Sequence, residues 1–240
     1  MSRSTALLAL AIVTIAAPAD AARRRFGWLW DTDVVPERVV ELEWWATERT
    51  GDTDGEAVLT VATVFGLTDT IEIAVPVDVA WHPSTKQTQF QDYGLEVRWR
   101  LATADPAKVG PVVPLIRLAA VRLLQIDAAR LDADAVVSFD FGSSLHAVID
   151  VDGYAITSGP SYYLSGGAGL SYSITDDLHA GVELYAVKTV SSQRPDESWL
   201  TVGPNLAYTH GRFWITASLP IGVAGDAPNL LPRVIWATAF

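Results

Sequence analysis

The sequence predicts an all-β fold: an antiparallel up-and-down transmembrane β-barrel of about twelve strands. Three observations carry this reading. Apolar and polar residues alternate with period two through most of the chain, the mark of a strand with one apolar face. Turn-forming residues recur along the chain, with short turns alternating with longer connections. After the N-terminal apolar run, no stretch approaches the roughly 18 uncharged apolar residues of a membrane helix. A bilayer crossing by this chain therefore has to use strands, because only helices and closed barrels satisfy the backbone in lipid.

The chain opens with Met1-Ser2-Arg3-Ser4, an apolar run from Thr5 to Ala17, and Ala19-Asp20-Ala21. A basic start, a short apolar core and an A-x-A site make a signal peptide over 1–21, cleaved after Ala21. Removing it leaves about 219 residues, a length that one all-β domain can occupy. Residues 22–36 carry Arg23-Arg24-Arg25, Trp28, Trp30 and two Asp without a period. They are expected to form a periplasmic lead-in to a barrel over 37–240.

The first strand places Val40, Leu42, Trp44 and Ala46 opposite Glu41, Glu43 and Thr47. The third places Ile71, Ile73, Val75, Val77, Val79 and Trp81 opposite Glu72, Asp78 and His82. The fourth places Tyr93, Leu95, Val97, Trp99 and Leu101 opposite Glu96, Arg98 and Arg100. Short turns fall at 66–69, 104–106, 142–144, 175–177 and 210–211, and longer connections at 50–55, 83–88, 158–160, 191–198 and 224–229. Gly, Asp, Asn, Pro and Ser punctuate the chain there because they accept or preset turn geometry. One more reversal is needed near Leu123 to Ala129.

The strands then run 37–49, 55–66, 69–82, 89–103, 109–122, 128–141, 144–157, 161–174, 177–190, 198–209, 212–223 and 231–240. An even count puts both termini on the side of the short turns, the periplasmic side. Two stretches leave choices open. Pro114 to Leu131 is rich in helix formers, but as a helix it scatters Arg117, Arg122, Asp127 and Arg130 around the cylinder. As strand, Arg117 points inward and Arg122 breaks parity; a helix there reduces the count to ten. The stretch from Ala57 to Phe65 is apolar on both faces, which leaves its register open.

Aromatic residues supply a test of depth. Phe65, Trp99, Phe141, Tyr172, Tyr208, Phe213 and Phe240 fall at outward positions near the periplasmic end, and Trp81 and Tyr162 near the opposite rim. Amphipathic rings collect at membrane interfaces in this way.

Composition excludes several classes. The net charge of −11 opposes nucleic-acid binding, which needs Lys and Arg against phosphate. The absence of Cys removes disulfides, a lipoprotein anchor and thiolate metal sites. Nothing marks a nucleotide, haem or other cofactor.

The segment from Gly167 to Leu184 joins a Gly-rich strand, a Thr175-Asp176-Asp177 turn and a strand with inward Glu183. It resembles the hairpins of small, transporter-like Gram-negative outer-membrane β-barrel proteins. The last strand, with Val234, Trp236 and Phe240 on one face, resembles their assembly signal and departs from it at Pro232 and Thr238. The resemblance implies residence in outer-membrane lipid and contact with the barrel-assembly machinery through that strand. More loosely, the chain is similar to outer-membrane proteins classed as transporters of aromatic compounds, but no motif carries that substrate over.

Period two places eighteen residues on the inner wall: Glu41, Glu43, Glu72, Asp78, Glu96, Arg98, Arg100, Arg117, Arg130, Asp132, Asp134, Asp140, His146, Asp150, Asp152, His179, Glu183 and Arg233. Such a wall can line a water channel and bias which ions pass, or form a salt-bridged filling in a narrow barrel. Asp52-Thr53-Asp54-Gly55 and Asp150-Val151-Asp152-Gly153 open like calcium loops but lack the remaining ligands, so both read as Asp-Gly turns. There is no HExxH and no G-x-S-x-G among His82, His146, His179, His210 and their surroundings. Ser144 and His146 share a strand face, about 7 Å apart by rise, too far for direct contact. The leading expectation is a passive channel or small-solute transporter with a charged lumen and no enzymatic activity. The alternatives are an occluded barrel acting through its outer loops, and a lipid-acting barrel enzyme.

Overall fold

A computed structural model describes residues 24–49, 56–103, 110–159, 161–191 and 197–240. The expected signal peptide, 1–21, and the first calcium-like loop, Asp52 to Gly55, lie outside the described residues. Thirteen strands follow one another: β1 Val40–Arg49, β2 Glu56–Thr68, β3 Ile71–His82, β4 Gln87–Arg100, β5 Val112–Leu123, β6 Ala128–Phe141, β7 Leu145–Ile156, β8 Ser161–Ser173, β9 Leu178–Ser191, β10 Glu197–His210, β11 Phe213–Ser218, β12 Ile221–Gly225 and β13 Arg233–Ala239. Each pairs antiparallel with its neighbours.

The sheet closes on itself. Trp44 of β1 stands opposite Val61 of β2 on one side and Trp236 of β13 on the other. Phe240 N donates to Val40 O at 2.8 Å. β13 pairs in turn with β11, and β11 with β10, completing the ring. β11 and β12 are two parts of one wall strand, both paired with β10. The break falls at Leu219-Pro220, where proline has no N–H to continue the ladder. The wall is therefore a closed barrel of twelve strands.

The stretch from Pro114 to Leu131 is a hairpin of β5 and β6, turned at Leu124–Asp127, with Asp127 in the left-handed region at φ 50°. Arg122 keeps its outward parity but sits at the rim, where it pairs with exposed Asp127. An outward charge is tolerated there because that end of the strand meets water. β2 settles with Ala62 and Val64 buried on the lumen side and Phe65 outward.

The outward face is apolar at mid-strand: Leu95, Leu118, Ile149 and Leu206 are each about half exposed. An apolar band of this extent is foreign to a water-facing surface and suits lipid. All nine girdle aromatics point outward and are exposed.

One expectation is corrected. Residues 24–36 do not lead away from the barrel; they fold into its lumen. Phe26, Leu29, Val34 and Val35 are buried. Phe26, Leu29 and Val34 pack on Leu115, Val136 and Val148, and Val35 packs among Val64, Ala74, Trp214 and Ala237. Outside the barrel those apolar side chains would face water, at roughly 1.5–3 kcal/mol for each large one. The slot that receives them is cut by glycine. A Cβ at Gly169 would lie 2.4 Å from Phe26 Cε1, and one at Gly167 2.9 Å from Leu29 Cδ2.

Candidate functional site: a plugged and charged lumen

The lumenal segment has no regular structure, so its backbone groups need partners from the wall. Wall carboxylates accept its N–H groups. Glu183 accepts Gly27 N at 3.2 Å and Trp28 N at 2.9 Å, Asp150 accepts Trp30 N at 2.9 Å, and Glu72 accepts Val35 N. Wall donors serve its carbonyls: the Thr216 hydroxyl donates to Arg24 O, and Arg233 donates to Gly27 O at 3.0 Å. The Thr32 and Ser138 hydroxyls meet at 2.6 Å.

Charge is organised around the same segment. Strand register sets Glu72, Arg98, Arg117, Asp134 and Asp152 in one row across β3 to β7. Arg98 lies against Glu72 and Glu96. Arg117 bridges Glu96 at 2.7 Å and Asp134 at 2.5 Å. Arg24 pairs with Glu43 at 2.9 Å. The three guanidiniums of Arg24, Arg98 and Arg117 all lie 4.5–4.6 Å from the Trp30 ring, within cation–π range. Trp30 is thus the hub of the ion-pair network.

Towards the short turns the segment is latched at Asp31. Asp31 receives His146 Nε2 at 3.0 Å and Arg25 at 3.0 Å, while His146 Nδ1 meets Asp140 at 2.7 Å. Burial disfavours charge on Asp31, but His146 and Arg25 outweigh it and hold the carboxyl well below the usual carboxylate range.

Cavities lie on both sides of the segment. The outer one, of about 410 Å³, lies on the loop side of Trp28 and Trp30 and is walled by Trp45, Asp78, Asp92, Arg130, Asp152, Tyr154, Tyr163, Tyr185 and Arg233 among others. The other, of about 370 Å³, lies at the short-turn end and is lined by Arg25, Asp140, Ser143, Ser144, His146, Ser173, Asp176 and His179.

The expected inner-wall residues take these places. Glu41, Glu43, Glu72, Glu96, Arg98, Asp132, Asp134, His146, Asp150, His179 and Glu183 are buried within the barrel. Asp78, Arg117, Arg130, Asp152 and Arg233 line the outer cavity, and Asp140 the short-turn cavity. Arg100 is half-buried at the turn end of β4, with its Nε enclosed. The Asp150 to Gly153 stretch is not a turn: it runs mid-strand in β7, with Asp150 and Asp152 inward and Val151 outward. Among the described residues no group of three His, Asp or Glu converges to hold a metal ion.

Both ring nitrogens of His146 are engaged by carboxylates, so His146 has no lone pair to offer Ser144. A Ser–His contact does occur elsewhere, Ser173 Oγ to His179 Nδ1 at 3.0 Å, in the wall of the short-turn cavity. The sequence reading missed Arg24, Trp28, Trp30 and Asp31 as lumenal residues, and the inward aromatics Trp45, Tyr154, Tyr163 and Tyr185. The signals available for them were the lumenal glycines of β8 and the apolar inward side of β2.

A closed antiparallel barrel with an apolar outer band and a polar interior is the fold of bacterial outer-membrane barrels. Solved structures place it more closely. An outer-membrane channel, COG4313 from Pseudomonas putida F1, superposes with a TM-score of 0.65 at 12% identity, over 88% of this chain and 98% of that one. The KdgM porin, solved with disordered oligogalacturonate, gives 0.55 at 12% identity, over 83% and 99% of the two chains. The NanC porin gives 0.55 at 12%, over 82% and 98%. No family model matches the sequence, and no curated protein matches it.

Proposed function

We propose that this protein is an outer-membrane channel for small solutes whose lumen is closed, in this conformation, by its own residues 24–36. The observation that carries the reading is that polar cavities lie on either side of a segment that is not paired into the wall but docked on it by apolar packing, hydrogen bonds and ion pairs. Cavities of about 410 and 370 Å³ on either side of it give a small solute room at each end. The fold shared with channels and porins supports the same reading. In it both termini face the periplasm, and the last strand, with Val234, Trp236 and Phe240 outward, engages the assembly machinery during insertion into lipid.

Planar-bilayer conductance tests it. The refolded protein is expected to show small, interrupted currents. Replacing Phe26 and Leu29 with Ser, which removes their fit to the Gly167–Gly169 slot, is expected to give larger and steadier ones. Silence from both proteins, with a heat-modifiable gel shift showing an intact barrel, would leave the occluded, loop-acting barrel as the better account.

A further inference from the structure

Among the described residues, nine carboxylates and four guanidiniums line the outer cavity. The guanidiniums already have work inside the wall. Arg98 and Arg117 belong to the ion-pair row, and Arg130 donates to Asp132 at 2.9 Å. Arg233 binds Thr47 and the Gly27 carbonyl and lies 4.0 Å over Trp28. By formal charge, acids outnumber guanidiniums in the cavity wall.

Strand register sharpens that excess. Asp78 stands directly opposite Asp92 across β3 and β4, and Asp134 opposite Asp152 across β6 and β7. Carboxylates in directly opposed positions repel when both are ionised, and a cation between them lets both ionise. A second observation is independent of charge count. Asp150 is only 2% exposed, and its Oδ2 accepts Trp30 N, but its Oδ1 has no hydrogen-bond partner. Asp134 Oδ1, in a residue 4% exposed, is also without one. Buried acceptors of this kind are normally satisfied, and both residues face the cavity.

The shape of the wall selects the kind of cation. Among the described residues no three carboxylates converge on one point, as a metal ion needs. Aromatic faces alternate with the acids instead: Tyr154 and Tyr163 stack at 4.4 Å, with Tyr185 alongside. The wall already seats one cationic group of its own by this combination. Arg130 lies 5.3 Å from the Tyr154 ring centre while paired to Asp132. Ring faces and carboxylates together are what a guanidinium or ammonium group recognises.

We propose that the outer cavity is a binding site for a small organic cation, an amine or guanidinium compound, with its charge against Asp134, Asp150 and Asp152 and its carbon body against Tyr163 and Tyr185. The proposal deepens the channel reading by naming a solute class, and it rests on that reading only for the route the solute takes.

Calorimetric titration of the full, detergent-refolded chain with agmatine, which carries both groups, tests it, with benzoate as the anionic counterpart. Agmatine is expected to bind saturably and to weaken as salt is raised. Asp150→Asn with Asp152→Asn is expected to weaken it by about tenfold or more. Asp152→Asn alone, which leaves the Asp150–Trp30 contact untouched, is expected to weaken it by a smaller factor. Asp176→Asn, in the other cavity, is expected to change nothing. A barrel with a normal gel shift that binds no agmatine overturns the proposal. So does equal binding by the double and single variants and the wild type, or benzoate binding as tightly as agmatine. Agmatine binding without any conductance removes the channel reading and leaves this one standing.

Discussion

The two halves of the lumen obey different rules. Towards the short turns, small apolar and hydroxyl-bearing inward residues such as Val64, Ser138, Val148, Ala237 and Ala239 stand beside buried Glu43, Glu72, His146 and Glu183, each of which binds the lumenal segment. There the barrel is filled by its own chain. Towards the loops the inward positions are charged and aromatic, and there the barrel holds open space. The difference teaches that the partners of the inward charges report contents. Where protein fills the lumen the wall's charges bind that protein, and where the lumen opens they line the space beside aromatic rings.

Arg98 stands at the boundary between the halves, and its loss is expected to have the largest effect. Its guanidinium is 3% exposed and touches Glu72 and Glu96, with Glu43 at 3.7 Å. Arg98→Ala would leave those carboxylates buried without their countercharge, a change that costs about 3–5 kcal/mol. Unfolding in urea, followed by the gel shift, should show a clearly lower midpoint. An unchanged midpoint would mean the boundary is held by apolar packing and not by charge.

Gly169→Leu attacks the filled half alone. A side chain there meets the Phe26 ring, and overpacking of this kind costs about 1–3 kcal/mol. Much of that strain can be relieved by expelling the segment. Trypsin cleavage after Arg24 and Arg25 should accelerate and conductance should rise, while the gel shift stays normal. Slow cleavage and unchanged conductance would show that the segment does not leave as a unit.

The latch predicts a pH dependence whose direction follows from Asp31. Its folded pKa is depressed, so its contribution is present above the ordinary carboxylate value of 3.8 and is lost only as pH falls through the lower folded value. Protection of Arg24 and Arg25 from protease in the wild type should therefore hold from about pH 7 to about pH 5 with respect to Asp31. Asp31→Asn should lower that protection throughout the range, since the neutral amide gives up the ion pair with Arg25.

How much of this was legible in the sequence follows the same division. The wall was, because period two needs only local pattern: Glu72, Glu96, Arg98 and Arg117 were assigned inward from alternation alone. Their partnership was not, because Glu72 meets Arg98 and Arg117 meets Asp134 only once the strand register is set. The lumenal segment was illegible for a stronger reason. It has no period, and its backbone is satisfied by side chains as distant as Glu183, 155 residues from Trp28. Two traces of it were nevertheless present. The stretch from Ala57 to Phe65 is apolar on both faces because one face meets lipid and the other, through Ala62 and Val64, meets Val35 and Val39. The glycines of β8, part of the barrel-hairpin pattern in the sequence, form the slot for Phe26 and Leu29. The remaining irregularity in the pattern, Arg122, has a different cause, since it marks the rim.

Arg122 also supplies the smallest expected effect, at a place outside both halves. Its pair with Asp127 is exposed, with side-chain accessibilities of 41% and 88%. Water screens such a pair and the two side chains lose freedom in making it, so its worth is about 0–1 kcal/mol. Arg122→Ala should leave the urea midpoint, the protease protection of Arg24 and Arg25, and the conductance within error of wild type. Arg122→Leu should behave the same way if the rim lies in water, because an apolar side chain there gains nothing from lipid. A midpoint raised by Arg122→Leu but not by Arg122→Ala would move the lipid boundary beyond the β5–β6 turn. The hydrocarbon band would then reach the level of the outer cavity's mouth.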